Sequence, residues 1–167
     1  LNDFTYSVVR SFNQYANANL GTDVLTVGGS AGTVILNAYP GHYTLDRDTV
    51  TFQVYDERIT EIGGGRWAGD SQGRLKEMWI QADVWSPPNT QGEPRQGANR
   101  KFKDKVEEAF KDRVRINLLQ WDGTGGTTVA GGMYVRQLSS SPMPTDDMEG
   151  WSRWKLEYLV RAVDHDS

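Results

Sequence analysis

RLKEMWIQADVW (74–85), SPPNTQGEPRQG (86–97) and ANRKFKDKVEEAF (98–110) run consecutively, and their reading decides the fold. In the first stretch Met78, Ile80, Ala82 and Val84 fall on one face of an extended chain. Glu77, Gln81 and Asp83 fall on the other, and this period of two predicts a strand. The second stretch opens on two prolines and breaks regular structure. In the third, Ala98, Phe102, Val106, Ala109 and Phe110 share one face of a helix, and lysines and acids cover the rest. A strand and a helix therefore offer apolar faces to each other, and no catalytic group holds an interior position. The unit reads as built to assemble rather than to react.

The same alternation extends on both sides. TVTFQVYDERITEI (49–62) sets Val50, Phe52 and Val54 against Thr51, Gln53 and Tyr55, a strand. GGGRWAGDSQG (63–73) supplies the flexible tip of the hairpin that joins it to 74–85. VRINLLQW (114–121), MYVRQL (133–138) and WSRWKLEYLVRAVD (151–164) predict three further strands. The last places Trp154, Leu156, Tyr158, Val160 and Ala162 on one face and Arg153, Lys155, Glu157 and Arg161 on the other. Val34, Ile35 and Leu36 read as a strand or its edge. LNDFTYSVVRSFNQYANANLG (1–21) predicts a helix with Phe4, Val8, Phe12 and Tyr15 inward. Its Tyr6, Ser7, Arg10, Asn13 and Asn17 face water or a neighbour, with Asn2 or Asp3 as cap and Gly21 past the end. Three long irregular stretches, 63–73, DGTGGTTVAGG (122–132) and SSSPMPTDDMEG (139–150), read as contact arms. The expected architecture is α+β: a twisted antiparallel sheet with two helices on one face and long glycine-rich loops, one domain over residues 1–167.

Composition narrows the function classes. A chain of 167 residues buries roughly two thirds of its unfolded surface and needs no staple. It has no cysteine, which removes thiol nucleophiles and cysteine-type zinc sites. With 22 acids against 18 bases, the net charge of −4 argues against a nucleic-acid binder held by bulk charge. No apolar run approaches the roughly 20 residues of a membrane span, and no secretory signal pattern is present. A cytosolic, soluble product is expected.

Candidate chemistry is thin. GGSAG (28–32) and GGGRWAG (63–69) lack the Lys-Ser/Thr of a phosphate loop and read as turns. DRD (46–48) and DDME (146–149) have no acid at calcium-loop spacing and read as solvated turns. His42 and His165 have no evident partner. Glu61 and Glu77 flank the hairpin like a glycosidase pair, but read as cross-strand acids on a solvated face. No catalytic residue, metal ligand or cofactor is assigned.

Contact residues are better marked. Six tryptophans in 167 residues is high. Trp79 and Trp85 share the polar face of their strand, and Trp67 lies on a glycine-rich tip. Large aromatics in such places mark interfaces. Arg95, Arg100, Lys101, Lys103, Lys105 and Lys111 make the second helix basic. Glu107 to Lys111, at i,i+4, fits a solvated face; a salt-bridged subunit contact is the alternative. Trp67, Trp79, Trp85, Arg95, Arg100, Lys101 and Lys105 are the candidate interface.

The order of elements resembles tail terminator proteins of long, non-contractile phage tails and related tail-like particles. The resemblance rests on an N-terminal helix leading into a strand hairpin (49–85), MWIQADVW running through a polar loop into ANRKFKDKVEEAF, and WKLEYLVRAV as closing strand. It implies a structural virion protein, without enzymatic activity or cofactor, at the head-proximal end of the tail and assembled in the host cytoplasm. Such a protein forms a ring, usually a hexamer, that caps the tail tube, ends its growth and offers the surface for head docking. Its partners are then copies of itself, the tail tube protein and the head–tail connector or stopper. DNA passes through the lumen without specific contacts, and no membrane is involved. Another neck component shares this texture. A small enzyme with a glycine-rich ligand loop is the reading from a different class.

Overall fold

The alternation along 74–85 sits at the centre of a six-stranded sheet. The computed structural model describes residues 4–20, 35–36, 48–61, 74–111, 114–121, 127–145 and 149–164. Its strands are β1 (Ile35–Leu36), β2 (Thr49–Glu61), β3 (Arg74–Ser86), β4 (Val114–Trp121), β5 (Thr127–Met143) and β6 (Ser152–Asp164). They lie in the order β1-β2-β3-β6-β5-β4. All neighbours are antiparallel except β1, a two-residue edge that runs parallel to β2. The helices are α1 (Phe4–Leu20) and α2 (Gln96–Ala109).

Register fixes which face is apolar. Ile80 pairs with Val54 on one side and Tyr158 on the other, and Ala82 pairs with Phe52 and Leu156. These residues join Phe4, Val8, Phe12 and Ala16 of α1 and Phe102 and Val106 of α2 in one core. Phe110, just past α2, is its hub. Its ring stacks on Phe12 at 4.9 Å and meets Phe52 and Tyr158 at 5.5 and 5.7 Å. Aromatic pairs of this kind add about 0.5–1.5 kcal/mol each beyond their buried area.

The sheet must curl around α1. Phe12 touches Phe52 on β2 with ring centroids 5.7 Å apart. The neighbouring Ser11 accepts the Leu119 N–H of β4 at 2.9 Å. β2 and β4 are four strand spacings apart, roughly 19 Å in a flat sheet. Consecutive Cα atoms are only about 3.8 Å apart. A flat sheet cannot meet both residues, so its two flanks fold toward the helix. Ser11 is itself held, donating its hydroxyl to the Ser7 carbonyl at 2.6 Å. Ser7 was expected to face water or a neighbour; it is buried, because this side of α1 lies against β4.

Two expected loops are in part strand. β5 runs from Thr127 to Met143, taking in the ends of both stretches read as irregular. Pro142 fits because β4 pairs with β5 only as far as Val135, so beyond that point β5 has β6 on one side alone. A proline lacking N–H is tolerated on such an edge. Within the AGG run, Gly132 leaves room for the Arg115 guanidinium that lies over it. On α2, Asn99 rather than Ala98 is buried: its amide donates to the Val84 carbonyl at 3.0 Å and to Ser86 Oγ at 3.1 Å, tying the helix start to the end of β3.

The polar stretch between β3 and α2 is itself ordered. Asn89 Oδ1 accepts from the N–H groups of Gln91 and Glu93 at 3.0 and 2.8 Å. Gly92 takes the left-handed conformation that this tight turn requires, with φ 77°. The same loop supports the turn before β6. Gly150, φ 78°, approaches so closely that a Cβ there would meet the Gly92 carbonyl oxygen at 2.6 Å and Pro88 at 2.8 Å.

Candidate assembly surface

The odd positions of β3 and β6 build the second face of the sheet, and this face divides into a sealed end and an open end. At the sealed end Asp83 is almost wholly buried, its side chain 3 % exposed. Arg153, its cross-strand neighbour but one, reaches it with Nε at 2.9 Å and Nη2 at 2.7 Å. Gln81 Nε2 donates to both oxygens of the same carboxylate at 3.1 and 3.0 Å. The Arg153 guanidinium also lies over the Trp85 ring at 4.8 Å, and Trp151 meets that ring edge-on at 6.4 Å. Trp85 Nε1 donates to Thr51 Oγ1 at 3.4 Å.

This separates two tryptophans that the sequence treats alike. Trp85 is 3 % exposed and packed within the protomer. Trp79, six residues back along the same face, is half-buried, with Arg58 over its ring at 4.9 Å. Strand alternation gives both residues one face; Trp151, which covers only Trp85, follows a turn that periodicity does not register.

The open end carries exposed apolar and aromatic side chains on a sheet. Tyr55, Tyr134 and Leu138 are 45, 58 and 42 % exposed, and Val129 is 62 % exposed. Tyr55 and Leu138 occupy irregular positions: β2 slips register between Val54 and Asp56, and β5 between Gln137 and Ser139. Bulges of this kind re-aim a side chain. They flank the central β3–β6 pair at one level, beside Ile80 and Tyr158. Burial, with Glu157 and Asp56 nearby, holds the Tyr55 hydroxyl above the usual phenol range. Glu157 accepts from Ser139 Oγ at 2.7 Å and pairs with Lys155 at 3.2 Å. The Ser139 hydrogen bond, aided by Lys155, outweighs burial and holds this carboxyl below the usual range. One strand over, Arg115 stacks over the Tyr134 ring at 5.8 Å.

The basic helix is mostly balanced within the protomer. Lys103 bridges Asp104 at 2.6 Å and Glu107 at 3.1 Å. Burial lowers its pKa, but these two carboxylates outweigh burial and hold it above the usual lysine value. Its ammonium also lies over Trp154 at 4.8 Å. Trp154 Nε1 donates to Ser140 Oγ, and Ser140 to Glu107, so one polar chain staples α2 to β5 and β6. Lys111 pairs with Glu108 at i,i+3, not with Glu107 as the spacing predicted.

Of the remaining candidates, Arg95 is engaged by Asp48 at 3.3 Å. Arg100 lines a cleft of about 570 Å³ between the start of α2 and the β5–β6 turn, walled by Pro94, Pro142, Pro144 and Trp151. Lys105 lines a groove of about 740 Å³ between the ends of α1 and α2, and Lys101 is exposed. Trp67 and both histidines lie outside the described residues, as do 28–32, 63–73 and Asp46, Asp146 and Asp147. Among the described residues no group of three metal-ligating side chains converges. Register pairs Glu77 with Arg58 and Glu61 with Arg74, so Glu61 and Glu77 stand three residues out of step, about 10 Å along the ladder. Glu77 instead faces Arg161 at 3.7 Å. No helix among the described residues is long and apolar enough to cross a membrane. No protein-family model matches this chain, and no curated protein matches it.

Proposed function

We propose that the protein is a ring-forming structural subunit of the tail-terminator type. In this reading two helices fill one face of a twisted antiparallel sheet, and the opposite face and the long glycine-rich loops are left for neighbours. The observation that carries it is the open end of the second face, where Tyr134 stands exposed on paired strand and Tyr55 and Leu138 at bulges within strands, rather than on a loop. Exposed aromatics on a rigid surface are what a subunit contact uses. A protomer of this size closes a ring through a head-to-tail contact between two different patches. The ring would cap the tail tube in the virion, stop its growth and receive the connector, with copies of itself, tube protein and connector as partners. Its lumen would pass DNA without gripping phosphate, which the net charge of −4 suits.

The test has two parts. Sedimentation of the purified protein is expected to show a closed oligomer at high concentration or in the presence of tail tube protein. Particles assembled without the protein are expected to carry overlong tails. Normal tails that fail to join heads would assign it to another part of the neck, and a strict monomer that ignores tube protein would overturn the reading.

A further inference from the structure

Arg115 and Arg136 are exposed guanidiniums on β4 and β5, and neither has an acidic partner among the described residues. They flank Tyr134, which is 58 % exposed. Arg136 faces Leu159 across the ladder, and Tyr134 faces Arg161. The result is a basic, aromatic patch on a rigid sheet, made of the side-chain types that dominate contact energies. It belongs to a chain whose net charge is negative.

An acidic counterpart lies in the turns at the opposite end of the sheet. The Gly150 turn rests on the Gly92 turn, and the two hold Glu93 and Glu149 at one corner, before the start of β6. Both carboxylates are exposed. Glu93 accepts from Asn89 Nδ2 at 3.1 Å, and neither has a cationic partner among the described residues. The basic patch is level with Arg161 and the acidic corner with Ser152. Nine residues of strand separate them, roughly 30 Å. Two opposite charges on one side would quench each other; at opposite ends of a protomer they can only be matched by another molecule.

We propose that the Arg115–Tyr134–Arg136 patch docks the Glu93–Glu149 corner of a second copy, head to tail. This rests on the ring reading and names its two contact surfaces. An anionic nucleic acid is a competing ligand for the patch. The second copy is favoured because the chain carries the complementary acids at the opposite end, and a repeated head-to-tail contact then leaves no charge of either patch unmatched.

Sedimentation velocity of four proteins tests it: wild type, R115E/R136E, E93K/E149K, and the chain carrying all four changes. All four sites are exposed, so circular dichroism and melting are expected to match wild type. Each double variant is expected to weaken self-association at least about tenfold through like-charge contact. The fourfold variant, and an equimolar mixture of the two double variants, are expected to regain it. A wild type that stays monomeric alone and with tube protein overturns the ring reading and the contact together. A wild type that assembles while the double variants assemble equally well, or whose loss the fourfold variant does not repair, overturns the contact alone. Wild-type binding to a DNA duplex that R115E/R136E abolishes would assign the patch to phosphate and likewise overturn it.

Discussion

Replacing Arg153 by Met is expected to destabilise the protomer by roughly 3–5 kcal/mol, because it strands a buried charge. Asp83 is 3 % exposed, and the guanidinium supplies its two shortest contacts, at 2.7 and 2.9 Å. Without it the carboxylate retains the Gln81 amide at 3.0 and 3.1 Å, a neutral donor that cannot balance a full charge. The methionine keeps most of the contact with Trp85 but not the cation–π attraction, worth about 0.5–1 kcal/mol. For a chain of this length, each kcal/mol moves the melting temperature by about 2–4 °C, so a loss of about 10 °C is expected. The double variant D83L/R153M removes both charges and is expected to lie within about 1 kcal/mol of wild type or above it, since a buried ion pair roughly balances its own desolvation. Thermal and urea unfolding followed by circular dichroism, at a concentration where the protein is monomeric, read both numbers. An R153M protein within 1 kcal/mol of wild type, or a double variant as unstable as the single, would refute the argument that Asp83 is a buried charge held by one partner.

Trp85→Ala is expected to cost about 3–5 kcal/mol of protomer stability, whereas Trp79→Ala costs less and shows mainly in self-association; unfolding and sedimentation of both variants separate the two effects. Ser11→Ala is expected to cost about 1–3 kcal/mol by leaving the Leu119 N–H without its acceptor, and hydrogen exchange at Leu119 should accelerate more than exchange in β3. Glu157→Gln is expected to cost up to about 1 kcal/mol at neutral pH, since the site is half-buried. The folded carboxyl is held below its unfolded value, so its contribution is complete above the ordinary glutamate range and fades as pH falls through the folded value. The gap between wild type and variant should therefore close in melts below about pH 4.

Much of this architecture was legible because period-two alternation survives in the strands that matter most. Residues 74–85 and 151–164 display their faces openly, since each strand has one side in the core and the other in polar company. β4 matched its sequence range of 114–121, and the core residues Phe4, Val8 and Phe12 of α1 follow from a three- and four-residue spacing. β5 was harder. Its glycines and prolines are loop residues by propensity, yet Gly132 leaves room for the Arg115 side chain that lies over it, and Pro142 is harmless because no strand pairs on that side. Both reasons are tertiary, and no local pattern encodes them. The candidate surface was half legible for the same reason. Alternation placed Trp79 and Trp85 together, but burial of Trp85 depends on Trp151, far along the chain. Arg115, Tyr134 and Arg136 were absent from the candidates because the sequence marks tryptophans and a lysine-rich helix more loudly than two arginines on neighbouring strands.

The curl of the sheet also decides how copies of this protein can meet. An exposed strand edge is a template onto which another chain can add a strand. Here β4 lies against α1, and Ser11 occupies the Leu119 N–H. β1 offers two residues, and the stretch of β5 beyond Val135 contains Pro142, which has no donor. β1 covers β2 only beside Thr51 and Phe52, so the long open edge among the described strands is β2 from Gln53 to Glu61, and the bulge at Tyr55 interrupts it. The contact proposed above runs instead through side chains on the open sheet face. Side-chain contacts built on exposed guanidiniums and carboxylates weaken as salt rises toward a Debye length of about 3 Å at 1 M, whereas backbone strand pairing would not. Self-association measured from 0.05 to 1 M salt is expected to fall steadily. Salt-independent association would point back to a strand edge and against the face.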